Sequence, residues 1–169
     1  RSLHIDGWIK HNFDDWTIFS YTHPNKTKYP NGHGHDDFSS ICLYFKSIPV
    51  IIDIGAKSYD LKCIDFAKGR YAHDHSSLLV NDKSVIEPGV GYKSLWSKKL
   101  RQKANFQINK DCLKWTGVTI DEIKWGRLIN YKNKQISIID NIINKKECVL
   151  KTSFYISEHL KFQYNRNNI

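Results

Sequence analysis

The residues best suited to chemistry fall between positions 33 and 75. Gly32-His33-Gly34-His35-Asp36-Asp37 places two histidines and a carboxylate at alternate positions. In an extended chain residues two apart share a face, so His33, His35 and Asp37 are expected to project to one side. Gly34 lets the backbone turn tightly or approach a ligand. Asp53 closes the apolar run Val50-Ile51-Ile52. A carboxylate there needs a partner, because an unpaired buried charge is costly; a metal, an arginine or backbone N–H groups would serve. A second His-x-His, His73-Asp74-His75, enters Ser76-Ser77-Leu78-Leu79-Val80. Imidazole is the commonest zinc ligand, and zinc takes three or four N, O or S donors. The combination predicts a metal site. Singly the pieces are weaker: one His-x-His is as readily surface hydrogen bonding, and an Asp after a strand is commonly a turn-former.

Two metalloprotein patterns fail at metal-binding positions. Metallo-β-lactamase-like hydrolases use His-x-His-x-Asp-His, but Phe38 stands where the last His belongs. Cupins follow His-x-His with an early Glu, and no Glu occurs between His35 and Glu87. Cys42, Cys63, Cys112 and Cys148 are scattered, with no C-x-x-C, so a zinc ribbon is excluded. Cys42 lies in the apolar run Ile41-Cys42-Leu43-Tyr44-Phe45 and is expected to be a buried thiol rather than half of a bridge.

The elements that must position these residues read as strands. Short runs rich in Ile, Val, Tyr, Phe and Trp alternate with Asn, Asp, Lys, Gly and Pro, and helical periodicity is scarce. Strands are expected near 6–10, 16–21, 38–46, 49–53, 75–81, 95–101, 104–109, 112–119, 123–131, 135–142 and 148–156. Hairpin turns are expected at Asn109-Lys110-Asp111 and Lys132-Asn133-Lys134. Residues 57–74 read as a long loop. Asp140 is expected at a strand end, bonded within the turn. The fold class is all-β, an antiparallel β-sandwich, and the 169 residues form one domain without repeats or linker. The chain contains no Met, which fits a processed chain or a piece of a longer one.

The motif order resembles the heparinase II/III family of polysaccharide lyases. Pro30-Asn31-Gly32-His33-Gly34-His35-Asp36-Asp37-Phe38-Ser39 is similar to that family's H-G-H-x-D segment. Ser47-Ile48-Pro49-Val50-Ile51-Ile52-Asp53-Ile54-Gly55 with Tyr59 is similar to its strand and Asp-x-Gly, Ser47 replacing the usual Gly. Arg70-Tyr71 and His75-Ser76-Ser77 through Asp82 match its Arg-Tyr and His-containing strand. Gly126-Arg127-Leu128-Ile129 and Ile136 to Asp140 resemble its arginine strand and the strand that follows. The likeness runs from about residue 7 to about 157 and covers only the family's C-terminal β-sandwich.

The resemblance implies that His35, Asp53 and His75 hold a metal, zinc by preference over calcium. His33 would act catalytically, facing the cleft and neutralising the uronate carboxylate of an acidic polysaccharide such as a glycosaminoglycan. The reaction is β-elimination, in which charge builds onto that carboxylate as the C5 proton leaves. The family's catalytic Tyr and its Asn or His partners belong to an N-terminal helical toroid. That missing domain is the other implied partner, and this chain alone is expected to be inactive. The implied location is periplasmic or secreted.

Lys plus Arg number 26 against 17 Asp plus Glu, a net charge of +9 that suits an anionic partner. Nucleic acid is the weaker choice. The run Lys93, Lys98, Lys99, Arg101, Lys103 carries charge but no recognition motif. The apolar runs are too short for a membrane-spanning helix. The alternative function is a non-catalytic carbohydrate-binding or structural module. Trp96, Trp115 and Trp125 would then stack on sugars, although strand tryptophans more commonly pack in the core.

Overall fold

The computed structural model describes residues 7–22, 37–55, 62, 69, 71–85, 104–119, 121–144 and 147–161. Alternating apolar and polar residues build β1 (Trp8–Phe13) and β2 (Trp16–Tyr21), whose inward members include Ile9, Phe13 and Ile18. β3 (Ile41–Phe45) and β4 (Ile48–Ile52) follow. A 3-10 turn, Ala72–Asp74, precedes β5 (Leu78–Val80) and the two-residue β6 (Lys83–Ser84). A four-strand meander comes next: β7 (Asn105–Asn109), β8 (Cys112–Val118), β9 (Lys124–Lys132) and β10 (Gln135–Ile142). Two short strands follow, β11 (Leu150–Thr152) and β12 (Tyr155–Ile156).

Among the described residues all pairings are antiparallel, in three sheets ordered β1-β2-β3-β4-β12, β10-β9-β8-β7 and β11-β5-β6. One core joins them: Phe13, Ile18, Leu43 and Ile51 meet Leu113, Trp115, Trp125 and Ile129, with Leu78 and Val80 from the third sheet. Each such side chain contributes about 1.5–3 kcal/mol by leaving water, which is why inward alternation fixes the register. The fold is therefore an all-β, sandwich-like antiparallel structure. No helix among the described residues is long and apolar enough to cross a membrane.

Both expected hairpins form. Asn109 pairs with Cys112 and Lys132 with Gln135, leaving two-residue loops. Asn133 and Lys134 have φ of 53° and 64°, and Asn81 and Asp82 between β5 and β6 have 53° and 58°, the left-handed pair that a type I′ turn requires. β6 carries no strand pattern of its own and is added by that turn. The expected strand 148–156 is two strands, because β11 pairs with β5 whereas β12 crosses to β4. The expected strand 95–101 lies outside the described residues, as does most of the loop expected at 57–74.

Pro49 shapes the route to the site. Leu43 pairs with Ile51 and Tyr44 with Pro49, so Val50 is an extra residue in β4. A proline offers no N–H to the ladder, and a bulge beside it absorbs the mismatch. Ile51 then faces the core, and Asp53 comes two residues later, just past the strand end.

Candidate functional site

Asp53 and His75 meet. His75 Nδ1 lies 2.7 Å from Asp53 Oδ2, although 22 residues separate them. His75 is 2% exposed, and the Asp53 side chain keeps 29% of its surface in solvent. Asp53 Oδ1 also accepts the Gly55 N–H at 2.8 Å; Gly55 has φ +62°, a conformation that favours glycine. Because an ionised carboxylate only accepts, the shared proton sits on Nδ1, and the lone pair of a neutral His75 ring is on Nε2.

The local chain explains why His75 turns inward. Asp74 is buried, and its Oδ2 accepts the N–H groups of Gly69 (2.9 Å) and Tyr71 (3.3 Å). Its own N–H bonds Tyr71 O at 2.8 Å, and the His75 N–H bonds Ala72 O at 3.3 Å, closing the 3-10 turn. The two histidines of this pair therefore do not share a face. His73 points outward, with 65% of its side chain exposed, and stacks on Tyr71 at 5.6 Å. The rule that alternate residues align holds for extended chain, and the 3-10 turn breaks it.

Cys42 on β3 lies beside this pair. Burial, then the Asp53 charge, push its thiol up to about 11, with a bond to the Asp53 backbone pulling the other way. With no metal beside it the thiol is protonated at neutral pH and a poor nucleophile. Cys42, Cys112 and Cys148 are free, as expected of a thiol rather than a bridge at Cys42. A raised folded pKa means that stability is lost as pH rises from the ordinary value of 9.0 toward 11. Urea unfolding of Cys42→Ala should show a shallower loss between those pH values than the parent. An identical profile would remove Cys42 as the cause.

The residue that sequence reasoning did not place at this site is Arg127, which it noted only within a resembling strand. It is fully buried on β9, and every N–H it owns has an acceptor. Nε and Nη2 donate to Asp140 Oδ1 (2.7 Å) and Oδ2 (2.9 Å). Nη2 also reaches Thr152 Oγ1 at 2.8 Å, and Nη1 donates to Ser39 O at 2.8 Å and to Ser76 O. Asp140 therefore does not serve a turn at a strand end; it sits within β10 directly opposite Arg127 and neutralises it. The readable signal was a charged pair at facing positions of two strands, with Trp125 and Ile129 buried on either side of Arg127. The hydroxyls of Ser39 and Ser76 are buried here without a hydrogen-bond partner among the described residues.

Of the expected ligands, Asp53 and His75 come together, and His35 lies outside the described residues. So do His33 and the lysine-rich run 93–103. Among the described residues no group of three or more His, Cys, Asp or Glu side chains converges. Phe38 is buried, edge-on to Trp125 at 5.8 Å. Trp115 and Trp125 are both 0% exposed and pack in the core, so neither can stack on a sugar; Trp96 lies outside the described residues. A scan against protein-family models finds no match for the chain, and a search of curated proteins finds none.

Proposed function

We propose that this chain is the metal-binding β-sandwich domain of a polysaccharide lyase that cleaves uronic-acid-containing chains by β-elimination. The observation that carries the reading is the Asp53–His75 contact: a nitrogen and an oxygen donor from separate elements, brought to 2.7 Å. That donor set suits zinc, which can take the place of the proton the pair now shares. His75, Asp53 and, by resemblance, His35 would hold the ion. When bound, it would supply a fixed positive charge that organises the surrounding loops. His33 would neutralise the substrate carboxylate as the neighbouring C–H bond breaks. The +9 charge would concentrate a polyanion at the surface. The base that removes the proton is assigned to no residue of this chain.

Titration of the purified chain with zinc sulfate tests this. One equivalent should bind, and His75→Ala and Asp53→Ala should each weaken binding more than about 100-fold, beyond what loss of an outer-shell partner costs. Parent protein that takes up no zinc, or variants that bind as the parent does, would sink the metal reading. No unsaturated uronate should form from heparan sulfate, chondroitin or alginate with this chain alone; steady turnover would overturn that part.

A second reading, a carbohydrate-binding module without catalysis, is favoured by one observation. A cavity of about 130 Å³ is lined by Trp16, Phe45 and Tyr131 together with Asp14, Asp15 and Lys134. Aromatic faces beside acceptors and a donor suit a sugar ring. This cavity is at the hairpin end of β4, away from Asp53 by the strand's length, roughly 16 Å at about 3.3 Å per residue. Glycan binding lost in Trp16→Ala but kept in His75→Ala would favour this reading over the first.

A further inference from the structure

The Arg127 guanidinium bonds residues in, or leading into, all three sheets. Arg127 and Asp140 belong to the meander, Thr152 and Ser76 to the β5–β11 sheet and its entry, and Ser39 to the entry of β3. Two of these acceptors flank the candidate site. Ser76 directly follows His75. Ser39 leads into β3, which pairs with β4, the strand that ends at Asp53. A single nitrogen, Nη1, donates to both carbonyls, so the two oxygens lie no more than about 6 Å apart, twice a hydrogen-bond length.

Ser39 adds a second, independent sign. It is fully buried and has φ 67°, a left-handed conformation that a serine rarely adopts. Such backbone persists only where its surroundings over-determine it, and it gathers at functional sites. The bond from Arg127 to its carbonyl, with the Ser40 N–H to Asp37 O bond at 2.9 Å, supplies that constraint.

We infer that Arg127 is the positioning residue for the Asp53–His75 pair: Nη1 clamps the carbonyls of Ser39 and Ser76, and so sets where the imidazole meets the carboxylate. Lysine cannot replace it. A guanidinium offers five N–H donors in a rigid fork, all used here, whereas an ammonium has three and no plane. The consequence for metal affinity rests on the proposed function; the consequence for the imidazole does not.

The test compares Arg127→Lys with Thr152→Val, which removes one Arg127 bond but spares both carbonyls. In the parent, the His75 ring should show the nitrogen chemical shifts of a single tautomer protonated at Nδ1. In Arg127→Lys those shifts should move toward a tautomer average, and zinc affinity should fall about 10-fold or more, as for an outer-shell partner. Thr152→Val should lose stability yet keep the parent's imidazole signature and affinity. The inference is overturned if Arg127→Lys leaves the His75 shifts unchanged, or if Thr152→Val moves them as far. Parent protein that binds no zinc refutes the metal reading alone, and the imidazole signature still decides the positioning role. Should Arg127→Lys fail to fold, couplings across hydrogen bonds in the parent, from Arg127 Nη1–H to the Ser39 and Ser76 carbonyl carbons, decide instead; their absence overturns the clamp.

Discussion

Asp140→Leu should lower the unfolding free energy by about 3–5 kcal/mol, because it strands a guanidinium that has no exposed surface. Both carboxylate oxygens of Asp140 bond Arg127, and Oδ2 also accepts the Thr152 hydroxyl at 2.9 Å. The attraction of the pair, acting across a desolvated interior, offsets a desolvation penalty of several kcal/mol per ion. Removing one partner leaves that penalty uncompensated. A domain of this size holds about 5–15 kcal/mol in total, so the variant should be near the edge of folding. Asp140→Asn, which keeps an acceptor without the charge, should fall between the two. Urea midpoints at constant m-value check the order, and a loss below about 1 kcal/mol for Asp140→Leu would place the pair with ordinary surface salt bridges. Lys46–Asp15 and Lys83–Asp121 are such pairs, with every partner more than half exposed, and their removal should be close to silent.

Trp125→Ala should cost about 3–5 kcal/mol, since the indole is fully buried at the junction of the two larger sheets. Its closest constraint is Gly117, directly opposite on β8. A Cβ at Gly117 would come within 2.8 Å of the Trp125 ring, a rigid neighbour that cannot swing aside. Gly117→Ala alone should therefore destabilise by about 1–3 kcal/mol through overpacking. In the Trp125→Ala background the added methyl enters vacated space, so the double variant should lose clearly less than the sum of the singles. A coupling of at least about 0.5 kcal/mol in a thermal or urea double-mutant cycle is expected. Strict additivity would mean that the backbone at Gly117 yields rather than holding against the ring.

Much of the fold could be read from local pattern. Leu113, Trp115 and Gly117 on β8 alternate with exposed or half-exposed neighbours, as do Trp125 and Ile129 on β9 apart from the buried Gly126, with Arg127 at the inward position between them; the turns between strands carry Asn and Asp. The strands expected at 16–21 and 135–142 coincide with β2 and β10. Other boundaries shifted where partners, not propensity, decide: β1 runs to Phe13 because Phe13 pairs with Trp16 across a two-residue turn. The break at 153–154 follows from two different sheets capturing the two halves of the one strand expected there.

The site was legible in part. Asp53 and His75 stand out as types that need partners, and a carboxylate past a buried strand must find one. Spacing by itself could not choose His75 over His73 as the partner; only the family resemblance named His75, and the physical choice depends on the 3-10 turn closed by the buried Asp74. Nor could it show Arg127 as the clamp, since its acceptors at Ser39 and Ser76 are 88 and 51 residues distant and are backbone carbonyls, which every residue carries. By itself the sequence determined the all-β class, the hairpins and the chemical types available, because these follow from side-chain alternation and turn preference along the chain. Tertiary structure decided, beyond what side-chain pattern could, how His75 meets Asp53 and what holds them there. Those contacts are set by hydrogen bonds between sheets, whose energies depend on distance and burial rather than on order along the chain.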